Sequence, residues 1–294
     1  MNGHAQTSED NYLSPYRSDG KLYGFVCIVT GATQPIGRAI VAELAAHGAA
    51  CVYACSSSPK EDYDSLEAEV NKECPNTKII GYPFHLANEE DTLTLIDDVL
   101  NTWGRLDIVV TSSGLLGPSS ITDTTPTDLL KLFDANAMMP FLALKYAPPA
   151  MAKTSPKGSY PNAQPKDRSY GSIIVVSSVA STLGSCWGPA FTMSSHAALG
   201  LVKSGVAALK GTGVRINCIS AGQIEVGVDL GQKAQVPSKD VQKQTIGLER
   251  AGVPNEVARA VGFLASGFSS YVTGTNLVVD GGSSVMNPVV VPVA

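Results

Sequence analysis

The chain has 294 residues, 44% of them hydrophobic and 16% charged, and a formal net charge of −5. That length and apolar content support a sizeable core in one domain, while the acidic balance without any basic cluster excludes nucleic acid as an expected partner. The apolar runs are of strand length, too short to span a membrane, and the six cysteines show no CxxC and no metal-like spacing with the four histidines, so reduced thiols in a cytoplasmic protein are expected and no metal site.

Residues 1–20 are polar, lack the cationic and apolar parts of a signal peptide, and read as a disordered tail. Phe25 to Thr30 is a first buried strand, Gly31-Ala-Thr-Gln-Pro-Ile-Gly37 a glycine-bearing turn, and Arg38 to His47 an amphipathic helix stopped by Gly48. Such a unit lets backbone N–H groups and a helix N-terminus meet a pyrophosphate. Gly31, Thr33, Gln34, Ile36 and Gly37 are the residues expected to line it. Pro35 stands out, because it has no N–H and fixes φ where glycine would let backbone approach a phosphate. The second strand, Cys51 to Cys55, ends in three serines, Ser56 to Ser58, with no carboxylate for the ribose 2′-hydroxyl of NAD. That points to NADP(H), with Arg38 the nearest cation for a 2′-phosphate.

A helix over Glu61–Glu73, a third strand over Lys78–Tyr82, a helix over Glu89–Trp103 and a fourth strand over Leu106–Thr111 follow. Thr127 to about Met151 is a long helix containing Asn136. Residues 153–170 make a loop longer than the connection needs, read as an exposed insertion, with a rim element or a subunit contact as alternatives. Ile173 to Val176, all β-branched, is a fifth strand covered on both faces. It turns at Ser177-Ser178, and a helix starts near Pro189. Val214 to Ile219 is the sixth strand. Residues 223–248 are polar and glycine-bearing, as a mobile substrate lid would be. A helix over Val253–Ser266 and a closing strand within Tyr271–Gly282 complete a domain over 21–284, before a tail at 285–294. Strands alternating with helices predict an α/β fold: a single-domain, Rossmann-like, doubly wound parallel sheet of seven strands with helices on both faces.

Several stretches together resemble the short-chain dehydrogenase/reductases. Thr30–Gly37 stands for the family's T-G-x-x-x-G-x-G, Thr111–Gly114 for N-N-A-G, Ser220–Val226 for the P-G-x-I-x-T loop, and Tyr271–Gly282 for Y-I-T-G-x-x-x-x-V-D-G-G. The resemblance implies cofactor contacts at Arg38, Ser56, Leu86, Ser113, Gly114, Gly222 and Ile224 besides the turn. It implies Ser178 as the serine that ends the catalytic strand, and Asn136 as the helix asparagine of the proton relay. In the family a helix thirteen residues after that serine carries Tyr-x-x-x-Lys. Ungapped counting puts Phe191 and Ser195 there; a rival alignment with one inserted residue puts Thr192 and His196 there. Either way the phenol and the ammonium are missing. Val226 likewise replaces a threonine that meets the nicotinamide carboxamide.

Ketone reduction, as the resemblance implies it, needs a proton donor for the nascent alkoxide, and losing a positioned general acid costs about two to four orders of magnitude. The sequence therefore puts first a non-redox enzyme that carries out a cyclisation, an isomerisation or a pericyclic step on a small, secondary-metabolite-like molecule. Trp187, Phe191, Thr192, Met193, Ser195 and Cys186 would shape its pocket, Ser178 and Asn136 would donate hydrogen bonds, and Glu225 or Asp229 would act as base. The alternatives are an NADP(H)-dependent reductase of an activated C=N or C=C bond, and a catalytically silent protein that binds a ligand or serves as a partner subunit. A homodimer or homotetramer built on the helices at Thr127–Met151 and Pro189–Lys210 is the assembly the resemblance implies.

Overall fold

The computed structural model describes residues 16–158, 160, 162–163, 165–184, 186–227 and 239–286. Its elements run β1 (Val26–Thr30), α1 (Pro35–Ala46), β2 (Cys51–Ser56), α2 (Lys60–Glu73), β3 (Lys78–Pro83), α3 (Glu89–Trp103), β4 (Ile108–Thr111), α4 (Pro126–Phe133), α5 (Met139–Met151), β5 (Gly171–Ser178), α6 (Pro189–Ala208), β6 (Val214–Ala221), α7 (Lys239–Gln244), α8 (Pro254–Ala265) and β7 (Asn276–Val279). The seven strands form one parallel sheet in the order β3-β2-β1-β4-β5-β6-β7. The direction of winding reverses between β1 and β4, which leaves a crevice at the carboxyl ends of those strands.

The strands are apolar on both sides because both sides are covered. Along β1, Val26 and Ile28 enter one core while Cys27 and Val29 enter the other, the alternation a strand imposes. Leu95 and Val99 of α3, Leu142 of α5 and Val202 of α6 cover the first face. Ile40 and Leu44 of α1, Leu66 of α2 and Val261 of α8 cover the second. Each such buried side chain contributes about 1.5–3 kcal/mol. Cys27, Cys51, Cys55 and Cys218 are buried free thiols within this core.

The helix ends are written locally. The Asn88 carboxamide oxygen accepts from the Asp91 N–H at 3.0 Å to start α3, and Gly104, at φ 68°, ends it. Thr125 and Asp128 cap each other to start α4. The long helix expected over Thr127–Met151 forms as α4 and α5, joined by a π-helical segment at Asp134–Met138.

Two expectations need correction at the amino edge of the sheet. Residues 16–20 are not a free tail there: Tyr16 is buried, its ring 6.0 Å from that of Phe25 and 5.3 Å from that of Tyr170. The loop at 153–170 is not simply exposed either. Tyr160 stacks on Trp103 at 5.8 Å, and the wholly buried Lys166 ammonium donates to Asp107 at 2.9 Å and to the Leu106 carbonyl at 2.6 Å. A buried lysine is tolerable when a carboxylate and carbonyls meet it. This loop lies at the amino edge, opposite the crevice, so it forms no rim there. The rest of the tail at 1–15 and the tail at 287–294 lie outside the described residues. No helix among the described residues is long and apolar enough to cross a membrane, and no cluster of His, Cys, Asp or Glu among them could hold a metal ion.

Candidate active site

A cavity of about 250 Å³ opens at the carboxyl ends of β4 and β5, beside the start of α1. Pro35, Ile36, Leu115, Leu116, Val176, Phe191 and Val226 give it apolar walls. Gln34, Ser112, Ser113, Gly114, Asn136, Ser177, Ser178 and Ser195 supply neutral hydrogen-bonding groups and backbone. Among these described lining residues there is no aspartate, glutamate, histidine, lysine, arginine, cysteine or tyrosine.

The turn after β1 has no room for a side chain at either of its glycines. A Cβ on Gly31, where φ is 65°, would lie 2.8 Å from the Ser113 nitrogen, and one on Gly37 would lie 2.0 Å from the Gly31 carbonyl oxygen. Gly31 is therefore required by the close approach of the Ser112–Ser113 backbone after β4, and Gly37 by that of α1 to the Gly31–Ala32 backbone. Pro35 is the first residue of α1, where an N–H would have no helical partner and φ near −65° already fits. The turn thus accommodates the proline, and the first-turn N–H groups of Ile36 and Gly37 have no intrahelical partner by position. A glycine-bearing turn leading into a helix N-terminus beside the cavity fits the pyrophosphate of a dinucleotide.

At the end of β2, the Thr33 hydroxyl lies 2.7 Å from those of Ser56 and Ser58, making a three-hydroxyl cluster where a side-chain carboxylate would meet the ribose of NAD. Arg38 turns toward α2 instead, pairing with Glu69 at 2.6 Å and Ser65 at 3.2 Å. Ser113 meets the Thr30 hydroxyl at 3.1 Å, which ties the end of β4 to that of β1. Leu86 packs partly buried against the core. Gly222 is pressed against Asp280, and Ile224 pairs with Gly252 and packs on the second core.

Ser178 closes β5, and its oxygen accepts from the Ala180 N–H at 3.2 Å. Phe191 and Ser195 stand four residues apart on α6 and so share a face, and both line the cavity with Ser178. Thr192 and His196 do not line it: His196 is exposed and bonds back to the Thr192 carbonyl at 2.9 Å. Ungapped counting from Ser178 therefore picks out the cavity-facing pair. Tyr160 and Tyr170 lie at the opposite edge of the sheet, beside Trp103 and Phe25.

Asn136 sits on the π-helical segment, a local widening often found at functional sites. Its oxygen accepts from the Leu115 N–H at 2.8 Å, and its amide donates to the Leu115 carbonyl at 3.0 Å and to the Ser194 hydroxyl at 2.9 Å. Ser194 in turn donates to the Phe191 carbonyl at 3.1 Å. The carboxamide thus ties the loop after β4 to α6.

Other residues read from sequence stand outside the cavity lining. Trp187 donates its indole N–H to the Gly117 carbonyl at 2.9 Å. Met193 is half exposed. Cys186 is exposed, with partial burial pushing its thiol pKa up and so keeping it protonated. Glu225 is exposed and held through its backbone, whose N–H donates to the Gly252 carbonyl at 2.8 Å. Asp229 and the middle of the 223–248 stretch lie outside the described residues; the ends of the stretch are stitched by the Ile224–Gly252 bridge and the Leu248 N–H donating to the Gly281 carbonyl at 3.0 Å. Sequence reasoning did not name Leu115, Leu116, Val176 and Ser177 as site residues. Their signal was adjacency to Gly114 and Ser178, which were named.

A family model described as enoyl-(acyl carrier protein) reductase matches residues 31–284. The (+)-borneol dehydrogenase 2 of Salvia officinalis is 31% identical over 295 residues, spanning 96% of each chain. The 3-oxoacyl-(acyl-carrier-protein) reductase FabG of Thermotoga maritima is 29% identical over 262 residues, 89% of this chain and 98% of its own. A solved short-chain type dehydrogenase/reductase from Mycobacterium marinum shares the fold with a TM-score of 0.78 over 91% of this chain and 98% of its own, at 22% identity. Fold and sequence agree over most of the chain's length, and it belongs to the short-chain dehydrogenase/reductases, a superfamily of Rossmann-type enzymes that typically bind NAD(P)(H).

Proposed function

We propose that the chain is an NADP(H)-dependent reductase of an activated double bond, with a C=N⁺ bond as its substrate class and an activated C=C bond as the second reading. The observation that carries this is the composition of the cavity: apolar walls, neutral hydroxyls and amides, and no ionisable side chain among the described lining residues. In this reading Phe191 and Ser195 occupy the places of the family's tyrosine and lysine, and the neutral cavity would not protonate an alkoxide.

When bound, the reduced nicotinamide supplies a hydride and becomes a cation, so an iminium substrate hands its charge on and leaves as a neutral amine. No proton has to arrive in that step, and no net charge is created in a weakly polar cavity, where isolated charge is costly. The residues of this chain then have three tasks. The Gly31–Gly37 turn and the first turn of α1 would hold the pyrophosphate, and the Thr33–Ser56–Ser58 hydroxyls would meet the ribose or its 2′-phosphate. Phe191, Leu115 and Leu116 would pack the substrate body and exclude water. Ser178 and Ser195 would orient polar substituents by hydrogen bonds.

The non-redox cyclase that the sequence placed first is not favoured, since the relatives described above are named for dehydrogenation or reduction. The description of the matching family model favours the C=C reading as the second. Calorimetric titration with NADPH and with NADH tests the cofactor part: binding of NADPH more tightly than NADH is expected, and binding of neither at millimolar concentration removes the proposal.

A further inference from the structure

We propose that Trp187 is a positioning residue that sets the shape of the substrate cavity, acting through the loop after β4. This rests on the reading of the cavity as the substrate site. Leu115 and Leu116 form one apolar wall, yet both are substantially exposed, 47% and 40%, so they are not fixed by burial. What fixes the wall is a set of contacts from neighbouring elements. Asn136 holds Leu115 from the π-helical segment. Two residues further along, the Trp187 indole N–H donates to the Gly117 carbonyl at 2.9 Å.

The two loops are also in backbone contact beside that bond. A Cβ on Gly188 would lie 2.2 Å from the Pro118 carbonyl oxygen, so only glycine lets the loop before α6 approach this closely. Gly117 itself has φ 63°, and a Cβ there would strike Leu132 of α4. The loop after β4 is thus clamped between α4 and the Trp187–Gly188 pair, and the Leu115–Leu116 wall hangs between the Asn136 clamp and the Trp187 clamp. Loss of the indole bond frees the outer end of the wall while leaving the turn at Gly31–Gly37 and the Phe191–Ser195 face untouched. The consequence falls on substrates large enough to press against the wall.

The test is Trp187→Phe in the full chain, which keeps an aromatic ring and removes the donor. Two cyclic imines of different bulk, 1-pyrroline and 3,4-dihydroisoquinoline, are compared as their iminium forms with NADPH. The expected result is a rise of roughly tenfold in KM for the bulkier imine, on the scale of one hydrogen bond, with kcat and NADPH affinity unchanged and less than a twofold change for the smaller imine. Hydrogen exchange at the amides of residues 115–119 should quicken in the variant. Emission of Trp103, at the far edge of the sheet, should match that of a folded protein. Equal losses for both imines, or a fall in kcat without a change in KM, overturn the proposal. Should the wild-type chain reduce neither imine, the proposed function fails rather than the clamp, and the exchange measurement then decides: unchanged exchange at residues 115–119 rejects the clamp.

Discussion

Phe191 and Ser195 stand one helical turn apart, facing Ser178 across a cavity whose described lining holds no acid or base. A serine without a base partner is a weak proton donor, and the proposed function rests at this scale on these two positions. Converting them tests it. Phe191→Tyr with Ser195→Lys should create NADPH-dependent reduction of a ketone where the parent shows none, a gain of about two to four orders of magnitude over background, read as cofactor oxidation at 340 nm. A double variant that binds NADPH and stays inert toward every ketone tried would show that α6 does not present these positions to the reacting carbon. That these two residues line one cavity with Ser178 was legible in sequence, because a thirteen-residue count from Ser178 fixes the face of α6 they occupy. The role of Asn136 was not. Its amide is filled by Leu115 and Ser194, 21 and 58 residues away, and no local pattern announces partners at that distance.

Among the elements, the amino edge of the sheet shows most clearly what sequence left out. Strands and helices follow from β-branched runs and caps, so their limits fall within a few residues of expectation. The loop at 153–170 and the residues before Lys21 carry no such periodicity, and their packing depends on a charge at the foot of β4. Asp107 accepts from Arg105 at 2.8 and 3.0 Å, from Lys166 at 2.9 Å and from the Val26 N–H at 2.9 Å, with its side chain fully buried. Removing the carboxylate leaves two buried cations facing each other. Asp107→Asn should therefore cost about 3–5 kcal/mol in urea unfolding, and Lys166→Met clearly less, because Arg105 still pairs with Asp107. Equal costs for the two changes would mean that the loop, not the carboxylate, organises this edge.

For the whole molecule, the same carboxylate sets a direction for acid stability. Burial pushes the Asp107 pKa up, but the Lys166 and Arg105 charges outweigh it and hold the carboxyl below its ordinary value. As pH falls, the unfolded chain takes up this proton first. The stability Asp107 contributes is therefore present above the ordinary carboxylate range and lost as pH drops through roughly 4 and below. Asp107→Asn should flatten that part of the stability profile. At the other edge of the sheet the molecule combines a dinucleotide-type turn that retains its close-approach glycines with a neutral, apolar cavity. These two halves of the reading meet in one experiment, turnover of NADPH by the purified 294-residue chain with a cyclic iminium and, in parallel, with a ketone of the same carbon skeleton. The account predicts cofactor oxidation with the iminium and none above background with the ketone; ketone reduction at a comparable kcat/KM would contradict it.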